Sequence, residues 1–305
     1  MDTKVKKIIP KKVLERFGLT LTSICIAIIV LLVFTLIFMV FARGLSTFFV
    51  DGINPIDFFT GTTWRPSQVD ANGVPQVGAL PMIAGSFAVT IVSSLIATPL
   101  AVGSALFVVE IAPGFGKRFF QPAIEILVGI PSVVYGLIGL LVVVPFTRDL
   151  MGGTGFGIFS GSIILAIMVL PTITSLSIDA IAAVPRDYRQ GALALGSTRW
   201  QMIYKVVLRS ALTGILTAVI LGMARAFGEA LAVQMIIGNA AIIPTSLFEP
   251  AATLTSVLTM GMGHTVQGTL ENNALWSLAM VLLVMSLIFI LIIHFIGRRG
   301  SLKEN

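Results

Sequence analysis

Two charged residues interrupt an apolar stretch in Gly222-Met-Ala-Arg-Ala-Phe-Gly-Glu-Ala230. Arg225 and Glu229 stand four residues apart, which places both on one face if the segment is helical. A guanidinium offers a planar fork that matches two oxygens of a tetrahedral oxyanion, and it stays charged at any working pH. A single arginine then makes a low-affinity station, favourable to enter and too weak to trap an anion. Glu229 can hold the guanidinium when no anion is present. A purely structural pair joining helices is the other reading of the same residues, and both stay open here. A charge at mid-bilayer costs about 2.5–3.5 kcal/mol on insertion scales, so such residues face a bundle interior or a watery cavity.

The elements that must position these side chains are membrane helices. Of 305 residues 56% are hydrophobic and 11% charged, against about 25% charged in soluble domains. Mean hydropathy is +1.00. Six apolar runs predict spans at 19–42, 80–109, 123–146, 158–182, 210–237 and 274–296, each near or above the ~20 residues a span needs. The first follows six basic residues in a tail over 1–18. It is far longer than the ~7–15-residue core of a cleavable signal, so it is expected to remain as a helix. A loop over 43–78 and a five-helix core over 79–297 follow, with a tail at 298–305.

The charge of +6 reads as topology rather than as a nucleic-acid surface. With the N-terminus in the cytoplasm, sixteen of the twenty Lys and Arg residues fall on the inner side, leaving Arg43, Arg65 and Arg148 outside and Arg225 mid-span. That asymmetry follows the positive-inside rule and puts both termini in the cytoplasm. The lone cysteine, Cys25, lies within the first run, where packing is its expected role. His264 and His294 have no second ligand at metal spacing, so no metal site is expected. No paired nucleophile and base can be assembled, which argues against an enzyme.

Between the fourth and fifth spans the segment 184–209 is polar and predicted to be cytoplasmic. Pro185 suits a helix start, Gly196 a left-handed stop, and Thr198 with Gln201 a capping box for a second helix. The product is a pair of short helices at an angle, with small Gly191, Ala192 and Ala194 along one of them. An ordinary interfacial hairpin would look similar. The segment resembles the coupling loop of ABC-importer permeases, whose pattern is Glu-Ala-Ala, three residues, Gly, nine residues, Ile-x-Leu-Pro. Gln190, Gly191 and Ala192 occupy the first three positions, Gly196 the glycine, and Val206 and Leu208 the aliphatic ones. Gln190 and Arg209 depart from the usual Glu and Pro. The resemblance implies that this hairpin, with Trp200 as an anchor, docks on a separate ATPase subunit. Gly152-Gly-Thr-Gly-Phe-Gly157 lacks the lysine of a phosphate-binding loop, so the ATPase is not expected in this chain.

Ala-Arg-Ala-x-Gly-Glu is similar to a motif of permeases for phosphate, sulfate and molybdate. Three more stretches resemble the C-type (PstC-type) permease of the phosphate-specific transporter: Phe58-Phe-Thr-Gly-Thr-Thr-Trp-Arg-Pro66, Glu125-Ile-Leu-Val-Gly-Ile-Pro-Ser-Val-Val-Tyr-Gly136, and Val233-Gln-Met-Ile-Ile-Gly-Asn239. The resemblance spans nearly the whole chain. It implies an all-α integral membrane fold, a six-transmembrane-helix type I ABC-importer permease with a coupling helix between helices four and five. It further implies a PstA-type second permease, a PstB-type ATPase dimer and an extracytoplasmic PstS-type phosphate-binding protein, with no cofactor in this chain. Glu229 is then suited to accept the proton-bearing oxygen of hydrogen phosphate, which sulfate lacks. Tyr135, Ser132 and Asn239 are further candidates for the pathway. A sulfate or molybdate permease, or a self-sufficient channel or carrier, is the competing expectation.

Overall fold

The computed structural model describes residues 11–69 and 73–301. Residues 1–10 of the predicted basic tail and 302–305 of the predicted C-terminal tail lie outside the described residues. Helix α1, Lys11–Gly44, starts earlier than hydropathy predicts and takes in Lys12 and Arg16. Its apolar side chains remain exposed, with none of its most apolar window buried. Its C-terminal end is fastened to the last helix by polar contacts. Ser277 Oγ donates to the Gly44 carbonyl at 2.6 Å and lies 2.7 Å from Thr47 Oγ1, and Asn273 Nδ2 donates to Asp51 at 2.9 Å.

The connection to the next span holds two short helices, Ser46–Phe49 and Pro55–Thr60, and an antiparallel hairpin. Strand β1, Trp64–Val69, pairs with β2, Pro75–Val77, with Trp64 opposite Val77 and Arg65 opposite Gln76. Its two strands are the only named strands among the described residues. Phe58, wholly buried, and Val77 pin it to the membrane core beside Met82 and Leu278.

The core elements then follow in order. Helix α2 is Leu80–Leu106, continued by a π-helical turn over Phe107–Ile111; α3 is Gln121–Gly129. Helices α4, Ser132–Ile138, and α5, Val144–Met151, form one span through a π turn. Helix α6 is Ile158–Ala182, as predicted. A polar hairpin follows, α7 (Arg186–Ala194) and α8 (Arg199–Met202), the second running on to Ser210. Helices α9 (Leu212–Phe227), α10 (Leu231–Ile236), α11 (Leu254–Gly261) and α12 (Leu270–Ser301) complete the chain. Five stretches are long and apolar enough to cross a membrane, and a sixth exists if the pair Arg199–Ser210 and Leu212–Phe227, bent by 65°, is one span. The chain is a multi-pass membrane protein.

Helices α2 and α6 form the central pair. Along α2, Val89, Ser93, Ala97, Ala101 and Ala105 recur every fourth residue and are all buried. Small side chains at this spacing let helix backbones approach closely, which replaces the hydrophobic driving force that lipid cannot supply. Across the seam Ser162 Oγ donates to the Val89 carbonyl at 3.3 Å.

Two predicted spans are corrected. The third, at 123–146, is broken: Ile130 and Pro131 are extended, and the crossing shifts to Ser132–Met151. Pro131 disfavours a helical residue before it and has no N–H to continue the ladder. The fifth, at 210–237, bends by 65° at Ala211 and stops at Phe227; Gly228, Glu229 and Ala230 are not helical.

The second break is followed by a segment that hydropathy assigns to an outer loop. Residues 238–253 turn back into the bundle. Gly238 bridges to Ala251, and Ala251, Ala252 and Leu254 are wholly buried. Leu254 N–H donates to Ser86 Oγ at 2.9 Å. Closest approach is at Gly85, where an added Cβ would lie 2.1 Å from the Ala252 carbonyl oxygen. Because the obstacle is backbone, Gly85→Ala is expected to destabilise the fold by about 1–3 kcal/mol, the usual range for overpacking. Thermal unfolding in detergent measures it; an unchanged midpoint would refute the close packing of this return segment.

Candidate functional site

Arg225 sits in the last turn of α9, where a cation complements the helix dipole. Its Nη1 donates to Thr172 Oγ1 at 2.5 Å, on α6 just after Pro171. The rest of the guanidinium is exposed on the surface of the chain.

Glu229 is elsewhere than the helical spacing predicts. It lies in the break after α9, so the shared helix face is lost. Among the described residues the ion pairs are Arg148–Asp149 and Arg189–Glu110, and Arg225 and Glu229 are not paired. The expected intramembrane pair is therefore corrected. Beside the return segment, Thr255 Oγ1 at the start of α11 donates to the Glu229 carbonyl at 2.8 Å, a carbonyl left free where the helix stops. The carboxylate turns toward α10 instead, where Oε1 accepts from Ala232 N–H at 3.3 Å. That N–H is one of the free donors of a helix start. Glu229 also lines a small cavity of about 10 Å³, its wall shared between hydroxyls (Ser86, Thr90, Thr253, Thr255) and apolar side chains such as Leu165 and Phe227, room for about one water.

The other pathway candidates divide. Tyr135 is buried, and its hydroxyl donates to the Leu127 carbonyl at 2.9 Å. In a continuous helix that carbonyl would receive the N–H of residue 131, which is proline. Tyr135 thus spends its hydroxyl on the backbone at the break. Ser132 opens α4, half-exposed. Asn239 adopts φ +53°, donates through Nδ2 to the Gln234 carbonyl at 2.8 Å at the end of α10, and keeps Oδ1 buried without a partner.

The polar hairpin has the predicted local chemistry. Pro185 is the residue just before α7 rather than within it. At its far end Gly196 has φ +80°; its N–H donates to Leu193 and that of Ser197 to Ala192, a Schellman stop. Thr198 and Gln201 exchange both bonds of the capping box. Gln190, Gly191 and Trp200 are exposed, together with Leu195, Tyr188 and Tyr204. Ala192 and Leu208 instead pack into the apolar cluster of Ile181, Met202, Ile203 and Val207, and Val206 is half-buried. The hairpin thus has an outward face and an anchoring face, and the aliphatic positions Leu208 and Ala192 belong to the second.

Sequence reasoning missed two parts of the site. Thr172 gives no signal, since a hydroxyl in an apolar helix ordinarily bonds its own backbone, as Thr174 does with Leu170. The other is a buried charge cluster at the basic end. Glu110, 8% exposed, receives Nε and Nη2 of Arg189 at 2.9 and 2.7 Å on one carboxylate oxygen. Removing one partner of such a buried pair costs about 3–5 kcal/mol. An acid immediately past the predicted end of an apolar run was the available clue.

Comparison with known proteins places this architecture. Residues 97–301 match the family described as binding-protein-dependent transport system inner membrane components. This chain belongs to that family. A Bacillus subtilis relative, probable ABC transporter permease protein YqgH, is 55% identical over 84% of this chain and 82% of that protein. The phosphate transport system permease protein PstC of Xylella fastidiosa is 33% identical over 82% of this chain and 81% of its own length, and that of Mesorhizobium japonicum 33% over 84% and 81%. Among solved structures, an inward-facing MetNI methionine ABC transporter shares the fold at TM-score 0.54 and 19% identity, covering 71% of this chain and 93% of that one. The predicted type I importer permease fold is thereby borne out. In this inner membrane component the family match begins within α2, so α1 and the β hairpin lie outside it.

Two outcomes follow from the geometry. Tyr135→Phe leaves the Leu127 carbonyl without its donor and is expected to cost about 1 kcal/mol, read as a lowered unfolding midpoint; no shift would mean the break is closed otherwise. Gly196→Val forces a β-branched residue into a left-handed conformation at a cost of about 1–2 kcal/mol. Trypsin should then cut the hairpin at Arg186 or Arg199 faster, while Gly196→Asn stays near the parent rate.

Proposed function

We propose that this chain is the membrane-spanning permease subunit of an ATP-driven phosphate importer in a prokaryotic plasma membrane. The observation that carries the reading is the state of Arg225. Its guanidinium is held by one neutral hydroxyl and is otherwise exposed within an apolar helix, with no carboxylate neutralising it. A charge placed so at membrane depth is stable only against a watery cavity or a partner surface. Its remaining donors suit two oxygens of an oxyanion. Relatives named as phosphate transport permeases at 33% identity support phosphate over sulfate or molybdate.

In this reading the chain supplies half of the pathway and a second, PstA-type permease the other half, facing Arg225. The basic end is placed in the cytoplasm, a placement that the distribution of Lys and Arg supports. There the outward face of α7 and α8 docks on a PstB-type ATPase dimer through Gln190, Gly191, Gly196 and Trp200. A PstS-type binding protein delivers phosphate at the end bearing the β hairpin. The chain catalyses no reaction and needs no cofactor; binding and hydrolysis of ATP by the partner switch the cavity between outward and inward openings. Glu229 braces the break that presents Arg225 rather than quenching its charge.

The test is uptake of phosphate into proteoliposomes holding the whole complex. Arg225→Ala is expected to lower uptake about 10- to 100-fold, the worth of a charge-assisted hydrogen bond or two, with the complex still assembled. Arg225→Lys should fall between, since it keeps the charge and loses the fork. Normal uptake by Arg225→Ala would sink the substrate role, equal inhibition by sulfate the choice of phosphate, and uptake by this chain alone the need for an ATPase.

A further inference from the structure

The hairpin α7–α8 is joined to the bundle by two weak links. On one side Ala183, Val184 and Pro185 leave the helix, with Pro185 extended at ψ 143°. On the other, Ala211 is a 65° bend. Covalent attachment alone would let the hairpin swivel about both. Two arginines oppose that freedom. Arg189, on α7, forks onto Glu110 at the end of α2. It also donates to the Ile181 carbonyl in the last turn of α6 at 2.9 Å and to the Val184 carbonyl in the link that follows. Arg199, at the start of α8, donates to the backbone carbonyls of Glu110 and Ile111. The basic ends of α2 and α6 and both helices of the hairpin thus meet around Glu110, which serves Arg189 through its carboxylate from 79 positions away and Arg199 through its backbone carbonyl.

A buried ion pair is a poor source of stability, because desolvation offsets most of the attraction. What it does supply is position: one guanidinium that holds the Glu110 carboxylate together with the Ile181 and Val184 carbonyls ties the end of α2, the end of α6 and α7 to one another, as an apolar cluster cannot. We propose that Glu110 is a positioning residue, which through Arg189 makes the hairpin and the α2–α6 pair a single rigid lever. Displacement of the hairpin by a partner then reaches α6, and with it Thr172 and Arg225, without loss in the two links. This inference rests on the ATP-driven reading above, and it names the residue that transmits the stroke.

The experiment uses the assembled complex in proteoliposomes, recording phosphate taken up per ATP hydrolysed. Glu110→Gln is expected to keep hydrolysing ATP while uptake per ATP falls at least tenfold, and Glu110→Asp to recover part of it. A merely structural role would lower uptake and hydrolysis in the same proportion; that result, or an unchanged ratio, overturns the proposal. Should Glu110→Gln fail to assemble, the parent decides. With Cys25→Ser as background, nitroxides at Gly103→Cys on α2 and Arg186→Cys on α7 report the distance between lever arms; a Cβ at Gly103 meets nothing within 4 Å. An equal distance in nucleotide-free and ATP-bound complexes supports the lever. A change near one helical turn, about 5 Å, overturns it. If the parent complex shows no ATP-dependent uptake, the functional reading fails instead.

Discussion

Within hydrocarbon a peptide group has no water to turn to, so each place where a helix breaks must find its hydrogen bonds inside the protein. This chain breaks its helices repeatedly, and at three of the breaks a particular side chain takes up the freed backbone groups. Tyr135 serves the Leu127 carbonyl opposite Pro131. Thr255 and Glu229 serve the gap between α9 and α10, one on a carbonyl and the other on an N–H. Arg189 serves the end of α6. Polar residues that look like chemistry in the sequence are in large part the closures of these gaps.

This changes how the charges are to be understood. Glu229, which spacing pairs with Arg225, works on the backbone; Arg225 rests on a hydroxyl. Exchanging a carboxylate for a hydroxyl matters for an anion site. A neighbouring carboxylate would both repel the anion and compete for the guanidinium, whereas a threonine oxygen positions the side chain at little electrostatic cost. The break that separates the two residues is therefore what leaves the guanidinium without a carboxylate partner among the described residues, and the proposed anion site depends on it.

The architecture was legible where hydropathy and local capping rules act alone. Helix α6 matches its predicted bounds, and the Schellman stop at Gly196 and the capping box at Thr198 stand where the residue types place them. The motif residues for the hairpin and for Arg225 were likewise visible, since a charge in an apolar run and a glycine at a helix end are strong local signals. What was hidden depends on partners distant in the chain. Thr255 meets Glu229 from 26 residues away, Thr172 meets Arg225 across 53, and Glu110 meets Arg189 across 79. An apolar window averages over such contacts, so it reads 210–237 as one helix and 238–253 as an outside loop.

The exposure of α1 and of the Arg225 face belongs to the same logic. An apolar helix bare to lipid is ordinary, but an exposed guanidinium and a half-exposed Glu229 at membrane depth are not. Either water or protein must cover that face, and the cavity proposed to be shared with a second permease would provide both, since each half would then border the aqueous path and seal it from lipid. The anchoring side of the hairpin is by contrast complete in the isolated chain, with Ala192 and Leu208 packed and the Arg189–Glu110 pair buried. The chain is thus closed on the anchoring side of the hairpin and open on the Arg225 side, the asymmetry that the proposed role as one half of a transporter calls for.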